Sequence, residues 1–211
     1  MTIDVQINPW LYCFLLPVHR LFLSLYFSQI VIHNYHHLPT QGPLILAVKH
    51  YSRWDPVIVP LLSTTPYYFL TNANQFEGVQ GWFISRLGAF PVDVDQPKPS
   101  SLRTVVTLLQ QGKKLVIFPE GGIVTNQPLR SLKPGLARLV LQAEKDGQSI
   151  PIVPVALRYR PVDRVRARVD LNLCPPIVSC HYRQATDKQT AIAMTTALER
   201  SLLTGLAALG L

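Results

Sequence analysis

His50 and Asp55 lie five residues apart in LILAVKHYSRWDPVIVPLL, residues 44–62, and the pair has a chemical use. A neutral imidazole titrates near neutrality and can accept a proton from a hydroxyl. A carboxylate on its other nitrogen fixes the tautomer and supports the imidazolium that forms. The hydroxyl need not belong to the protein. The plainer alternative is that Asp55 caps a helix and His50 is a satisfied strand-end residue. Two further strand ends carry carboxylates, Val92-Asp93 and Phe118-Pro119-Glu120-Gly121. A glutamate directly after an apolar strand is either a turn carboxylate or part of a site, and convergence of the three ends would decide. A serine esterase is a poor fit, because Gly147-Gln148-Ser149 lacks the closing glycine of a nucleophile elbow.

The elements that must hold these residues follow from the same stretch. Leu44 to Val48 is short, aliphatic and preceded by Gly42-Pro43, as a buried strand is. Asp55-Pro56 suits an N-cap followed by a first-turn proline. The expected picture is strand, turn, helix, with the imidazole at the strand tip and the carboxylate at the helix mouth. Further strands are expected at 67–70, 90–94, 115–118 and 150–157. Residues 167–174 alternate Ala167, Val169, Leu171 and Leu173 with polar residues, as a half-exposed edge strand would. Helices are expected late in 72–87, over 100–111 with Ser100-Ser101 as cap, from Gly135 to about Lys145, and over 187–203. This alternation predicts an α/β fold with a mainly parallel central sheet flanked by helices. Sites in such folds gather where strands end.

Composition narrows the partners. With 211 residues the chain has length for one domain and an ample core. Only 15% of residues are charged while 48% are hydrophobic, so the chain is greasier than an ordinary soluble domain. A net charge of +8 favours an anionic partner: a phospholipid surface, a nucleotide-bearing cofactor, an acidic carrier protein or nucleic acid. Nucleic acid is least favoured, since no basic helix or aromatic RNA-binding signature occurs. Cys13, Cys174 and Cys180 lack metal-ligand spacing, and a reducing compartment is expected.

Met1 to Asn8 carries Asp4 and no basic residue, unlike a secretory signal. Residues 9–32 are then strongly apolar, with Trp10, Tyr12 and Phe14 near the start and Pro17 and Arg20 as interruptions. A spanning helix needs about 20 predominantly apolar residues. Two short helices forming a hairpin in the membrane interface fit better, with aromatic rings at headgroup depth; a buried hairpin is the alternative. His33, His36 and His37 sit in a connector without a nearby cysteine or carboxylate. They are expected to be solvated, with no metal and no cofactor.

Taken together these blocks resemble the lysophosphatidate and glycerol-3-phosphate acyltransferases, the PlsC-like O-acyltransferases of phospholipid biosynthesis. The resemblance is carried by His50-x4-Asp55 with Ser52, by Gly88-Ala89-Phe90-Pro91-Val92-Asp93, by Phe118-Pro119-Glu120-Gly121 and by Ile152-Val153-Pro154-Val155-Ala156, in that order. Lys133-Pro134-Gly135-Leu136-Ala137 is similar to a basic-Gly-Ala segment of the same family. The resemblance implies membrane-associating helices over 1–33 and an acyltransferase domain over 34–211, at the cytoplasmic face of a membrane. It implies acyl transfer from acyl-CoA or acyl carrier protein to a lysophospholipid acceptor, leading to phosphatidate. His50 and Asp55 would be catalytic; Ser52, Arg53, Asp93, Glu120, Gly121 and Lys133 would bind substrate. Two positions depart from the family: Val94 stands where an arginine is usual, and Gly122-Ile123 where Thr-Arg is common. Either Arg53, Arg86, Lys98, Arg103, Arg130 or Lys133 substitutes, or the acceptor is another lysolipid or a phosphate-free alcohol. Lys49, where the family often has asparagine, could offset part of the loss. A non-catalytic membrane protein on the same scaffold is the reading from another class.

Overall fold

The computed structural model describes residues 5–93, 96–162 and 164–211. Its centre is β2 (Leu44–Val48), an aliphatic strand buried along its whole length. Such a run suits a strand covered on both faces. Seven strands form one sheet in the order β1 (Gln29–His33), β7 (Arg168–Leu173), β6 (Ile152–Arg160), β2, β5 (Lys114–Ile117), β3 (Tyr68–Asn72), β4 (Ala89–Val92). The strands β6, β2, β5, β3 and β4 are mutually parallel; β7 runs antiparallel to β6, and β1 parallel to β7.

Successive side chains of a strand point to opposite faces, so β2 feeds two cores. Ile45 and Ala47 pack under α4 (Pro99–Gln110), α5 (Gly135–Ala143) and α6 (Asp187–Ala208) through Val105, Leu109, Val140 and Met194. Leu44, Leu46 and Val48 pack on the other face with Leu23 of α1 (Pro9–Tyr26), Phe27, and Ile58 of the one-turn α2 (Asp55–Ile58). The remaining α-helix among the described residues is α3 (Gly78–Arg86), which stops before Gly88, where φ is +94° and glycine is the residue that adopts it readily. Because β2 and β5 are adjacent and parallel, their C-terminal ends open on the same edge, side by side.

Four expectations change. The N-terminal hairpin is instead one helix, α1, which runs through Pro17 and is followed directly by β1. Proline removes one helical N–H and crowds the preceding turn. The helix nevertheless continues, anchored in its second half by buried Leu23 and closed by Phe27 N–H on the Leu23 carbonyl. Residues 29–33 belong to the sheet. Secondly, β7 lies inside the sheet and is not an edge strand. Its polar residues are buried because they are paired: Asp170 accepts from Arg168 and Arg160, and Asn172 accepts from Asn34 and donates to the Gly205 carbonyl. Thirdly, His33 and His37 are engaged, not merely solvated, at 2.9 Å from Asp170 Oδ1 and 2.8 Å from the Leu173 carbonyl. Finally, α4 begins at Pro99 with no side-chain cap, and Ser101 donates to the Pro91 carbonyl.

Candidate active site

The chain leaves β2 through Lys49, whose N–H still pairs with the Val155 carbonyl of β6, and His50 begins the turn. That turn closes when Asp55 N–H donates to the Ser52 carbonyl, which carries Asp55 back beneath His50. Asp55 is not the N-cap expected of it; it is the first residue of α2, after an N-cap at Trp54 that makes no side-chain bond. Its carboxylate faces the turn. Oδ2 accepts from the amides of Tyr51 (2.6 Å) and Ser52 (2.9 Å) and lies 2.8 Å from His50 Nδ1. Oδ1 accepts from the Tyr159 hydroxyl at 2.7 Å.

Asp55 is wholly buried and both oxygens are occupied, which is how a carboxylate survives removal from water. A carboxylate accepts, so Nδ1 of His50 carries the proton and Nε2 is left with its lone pair. Nε2 forms no hydrogen bond among the described residues, and the ring keeps 16% of its surface exposed. The Phe118 ring stacks on it at 4.2 Å between centroids, 25° from parallel. A fixed imidazole with one nitrogen on a buried acid and the other open can take a proton from a bound hydroxyl.

Glu120, three residues beyond the end of β5, meets the same turn from the other side. Its Oε2 accepts the His50 amide at 2.9 Å and Oε1 accepts the Arg130 amide at 3.0 Å. Lys49 Nζ donates to both oxygens, at 2.9 and 3.0 Å, and to the Val124 carbonyl at 2.8 Å. The pair is buried, so the glutamate expected to touch the acceptor points inward. Val124 N–H returns to the His50 carbonyl at 3.0 Å. The loop from Glu120 to Arg130 is therefore laced onto the tip of β2.

The match to known sequences covers this arrangement: the profile of the acyltransferase family aligns with residues 29–158. The chain belongs to the acyltransferase family. It is an O-acyltransferase of the PlsC-like kind. A 1-acyl-sn-glycerol-3-phosphate acyltransferase of Bacillus subtilis (strain 168) is 26% identical over 179 residues, covering 82% of this chain and 86% of that one. Its namesake from Streptococcus pneumoniae (strain ATCC BAA-255 / R6) is 28% identical over 164 residues, 74% of this chain and 58% of that one. The crystal structure of the 1-acyl-sn-glycerophosphate acyltransferase PlsC from Thermotoga maritima superposes with a TM-score of 0.67, covering 92% of this chain and 79% of that chain. At 17% identity that likeness shows the fold.

In this acyltransferase the other expected site residues scatter. Ser52 is buried and its hydroxyl accepts the Trp54 amide, so it shapes the turn, while Arg53 at the apex is exposed. Gly121 is exposed with φ +72°, a left-handed conformation that lets the chain turn between Phe118 and the loop. Asp93 is exposed at the end of edge strand β4, where it accepts the Gln96 amide. Three strand spacings separate β4 from β2, about 14 Å. Lys133 is exposed just ahead of α5. Val94 lies outside the described residues. Tyr159 and Phe118 are the site members that sequence reading missed. A buried tyrosine needs a partner for its hydroxyl, and Tyr159 stands between two arginines near the end of an apolar strand, which was the available signal.

Proposed function

We propose that this acyltransferase moves a fatty acyl group from acyl-CoA or acyl carrier protein to the free hydroxyl of 1-acylglycerol-3-phosphate, making phosphatidate. The observation that carries this reading is the His50 Nδ1–Asp55 Oδ2 contact of 2.8 Å, which leaves Nε2 as a proton acceptor at the open edge of the sheet. The acceptor is the one named for both curated relatives.

Nε2 takes the proton of the acceptor hydroxyl as its oxygen attacks the thioester carbonyl. Asp55 stabilises the imidazolium. The tetrahedral intermediate collapses with cleavage of the carbon–sulfur bond, and the departing thiolate recovers the proton from His50. A base so placed contributes about 10²–10⁴-fold. No cofactor beyond the thioester cosubstrate takes part.

The surface favours work on lipid, and the cytoplasmic face of a membrane is the location proposed. Trp10, Phe14, Val18, Leu21 and Leu25 recur at helical spacing along α1 and are all exposed, as are Val79 and Trp82 of α3. No helix among the described residues is long and apolar enough to cross a membrane, so docking in the interface is the mode proposed. A different lysolipid or a phosphate-free alcohol is the second reading, favoured by neutral Gly122-Ile123 beside Glu120.

The test is a panel of acceptors, charged and uncharged, against labelled acyl-CoA and acyl carrier protein, with product identification and His50→Ala as control. Phosphatidate formation that disappears in the variant supports the proposal. Transfer only to uncharged acceptors sinks the phosphate-bearing acceptor, and thioester left intact with every acceptor sinks the enzymatic reading.

A further inference from the structure

Lys49 and Arg130 share one glutamate but not in the same way. The Lys49 ammonium donates to both Glu120 oxygens, and with the charges matched the pair is closed off from water. Arg130 reaches the same residue through its backbone amide, on Oε1, and through Nη1, which donates to the Glu120 main-chain carbonyl at 3.1 Å. Among the described residues its guanidinium has no carboxylate within ion-pair distance, although the residue is exposed. A guanidinium presents five N–H donors in a fixed fork. One bond to a neutral carbonyl orients that fork and leaves its charge uncompensated.

The position is specific. The carbonyl that holds Nη1 belongs to the Phe118–Gly121 turn, whose first ring stacks on His50 at 4.2 Å. An oriented cation without a carboxylate partner is thus tied to the turn that also supplies the ring stacked on His50. Arg53 and Lys133 are also exposed, but no hydrogen bond among the described residues fixes either.

We propose that Arg130 is the receptor for the acceptor's phosphate, and that Lys49, by taking the charge of Glu120, leaves the arginine available for it. This rests on 1-acylglycerol-3-phosphate being the acceptor. In that lipid the phosphate is carried by the carbon next to the one bearing the reacting hydroxyl, so the phosphate has to be received close to the base, and Arg130 is the cation tied to the turn that packs on it. Paired N–H···O bonds from a guanidinium match phosphate geometry. The carboxylate of Glu120 acts as the strut that holds both partners, and the guanidinium supplies the recognition.

The test is steady-state kinetics of the full chain in mixed micelles with lysophosphatidate and a thioester donor. Arg130→Gln raises the KM for lysophosphatidate about ten- to a hundredfold, the range for losing a charged hydrogen-bonded contact. The KM for the donor and the unfolding midpoint stay at wild-type values, since the bond to the Glu120 carboxylate comes from the backbone amide. Arg130→Lys recovers part of the loss. Soluble glycerol 3-phosphate competes with lysophosphatidate in the wild type and loses that competition in Arg130→Gln. An unchanged KM in Arg130→Gln, an equal rise for both substrates, or the same loss in Arg53→Gln with none at Arg130 overturns the proposal and leaves the function standing. A wild type that acylates uncharged lysolipid and not lysophosphatidate overturns both.

Discussion

Tyr159 donates its hydroxyl to Asp55 Oδ1 at 2.7 Å across 104 residues of sequence. The bond completes a line from β6 through the acid to the imidazole, with the tyrosine buried. Tyr159→Phe keeps the ring and its contact with Phe27, and leaves Oδ1 buried with a donor removed. The expected cost is about 1–3 kcal/mol in urea unfolding. A several-fold fall in kcat with little change in either KM should accompany it, as Asp55 loses rigidity. A variant with wild-type stability and kcat would mean that the tyrosine is only packing.

His50→Ala removes the base and should lower kcat by about 10²–10⁴-fold. Asp55→Asn is the sharper probe, because it keeps the shape and changes the hydrogen bonding. The amide can turn an N–H toward the ring and favour the opposite tautomer, which puts the proton on Nε2. A comparable loss of kcat with near-wild-type circular dichroism is expected. Full activity in Asp55→Asn would remove the acid from the mechanism.

Lys49→Met strands Glu120 as a buried charge, and breaking one side of a buried pair costs about 3–5 kcal/mol. Adding Glu120→Gln to Lys49→Met should return part of that stability, because the uncompensated charge is gone. Urea unfolding of the two single variants and the double gives the coupling directly. Additive losses would show that the two side chains do not depend on each other.

The Arg168 guanidinium beside Asp170 holds its carboxyl well below the usual carboxylate range, helped by His33 and Arg160. Between its folded and unfolded pKa such a group binds fewer protons when folded. Its stabilisation is therefore complete above the unfolded value of about 3.9 and is lost as pH falls from there through the folded value. Asp170→Asn should be less stable than wild type at neutral pH, with the gap narrowing progressively in acid. Urea midpoints between neutral pH and strong acid would follow it; a gap independent of pH would refute the linkage.

The parts of the fold that local chemistry decides were legible. Gly42-Pro43 and five aliphatic residues marked β2, and the His50–Asp55 spacing fitted a turn closed by Ser52 and Asp55 themselves. What escaped depends on partners far along the chain. Asp170 and Asn172 read as solvent-facing until Arg160, Arg168 and Asn34 supply their bonds, which is why β7 passed for an edge. Glu120 pointed to substrate by resemblance, and the buried amine of Lys49, 71 residues earlier, turns it inward together with the His50 and Arg130 amides. The apolar run of 9–32 concealed a change from helical to strand period near Phe27, so β1 was taken for helix.

That same helix supplies the last prediction. The exposed apolar residues of α1 hold one period straight through Pro17, with Trp10 85%, Phe14 71% and Leu21 61% exposed. Residues this exposed add little to the folded state, so removing them should act on docking alone. Phe14→Ser combined with Leu21→Ser should weaken sedimentation with phosphatidylglycerol-containing vesicles by more than about tenfold, since each large apolar side chain buried is worth about 1.5–3 kcal/mol. Turnover of a water-soluble short-chain lysophosphatidate should stay near wild type, while turnover of vesicle-borne acceptor falls. Equal losses on both substrates would assign the stripe to folding or acyl-chain binding, and undiminished vesicle binding would move the docking face away from α1.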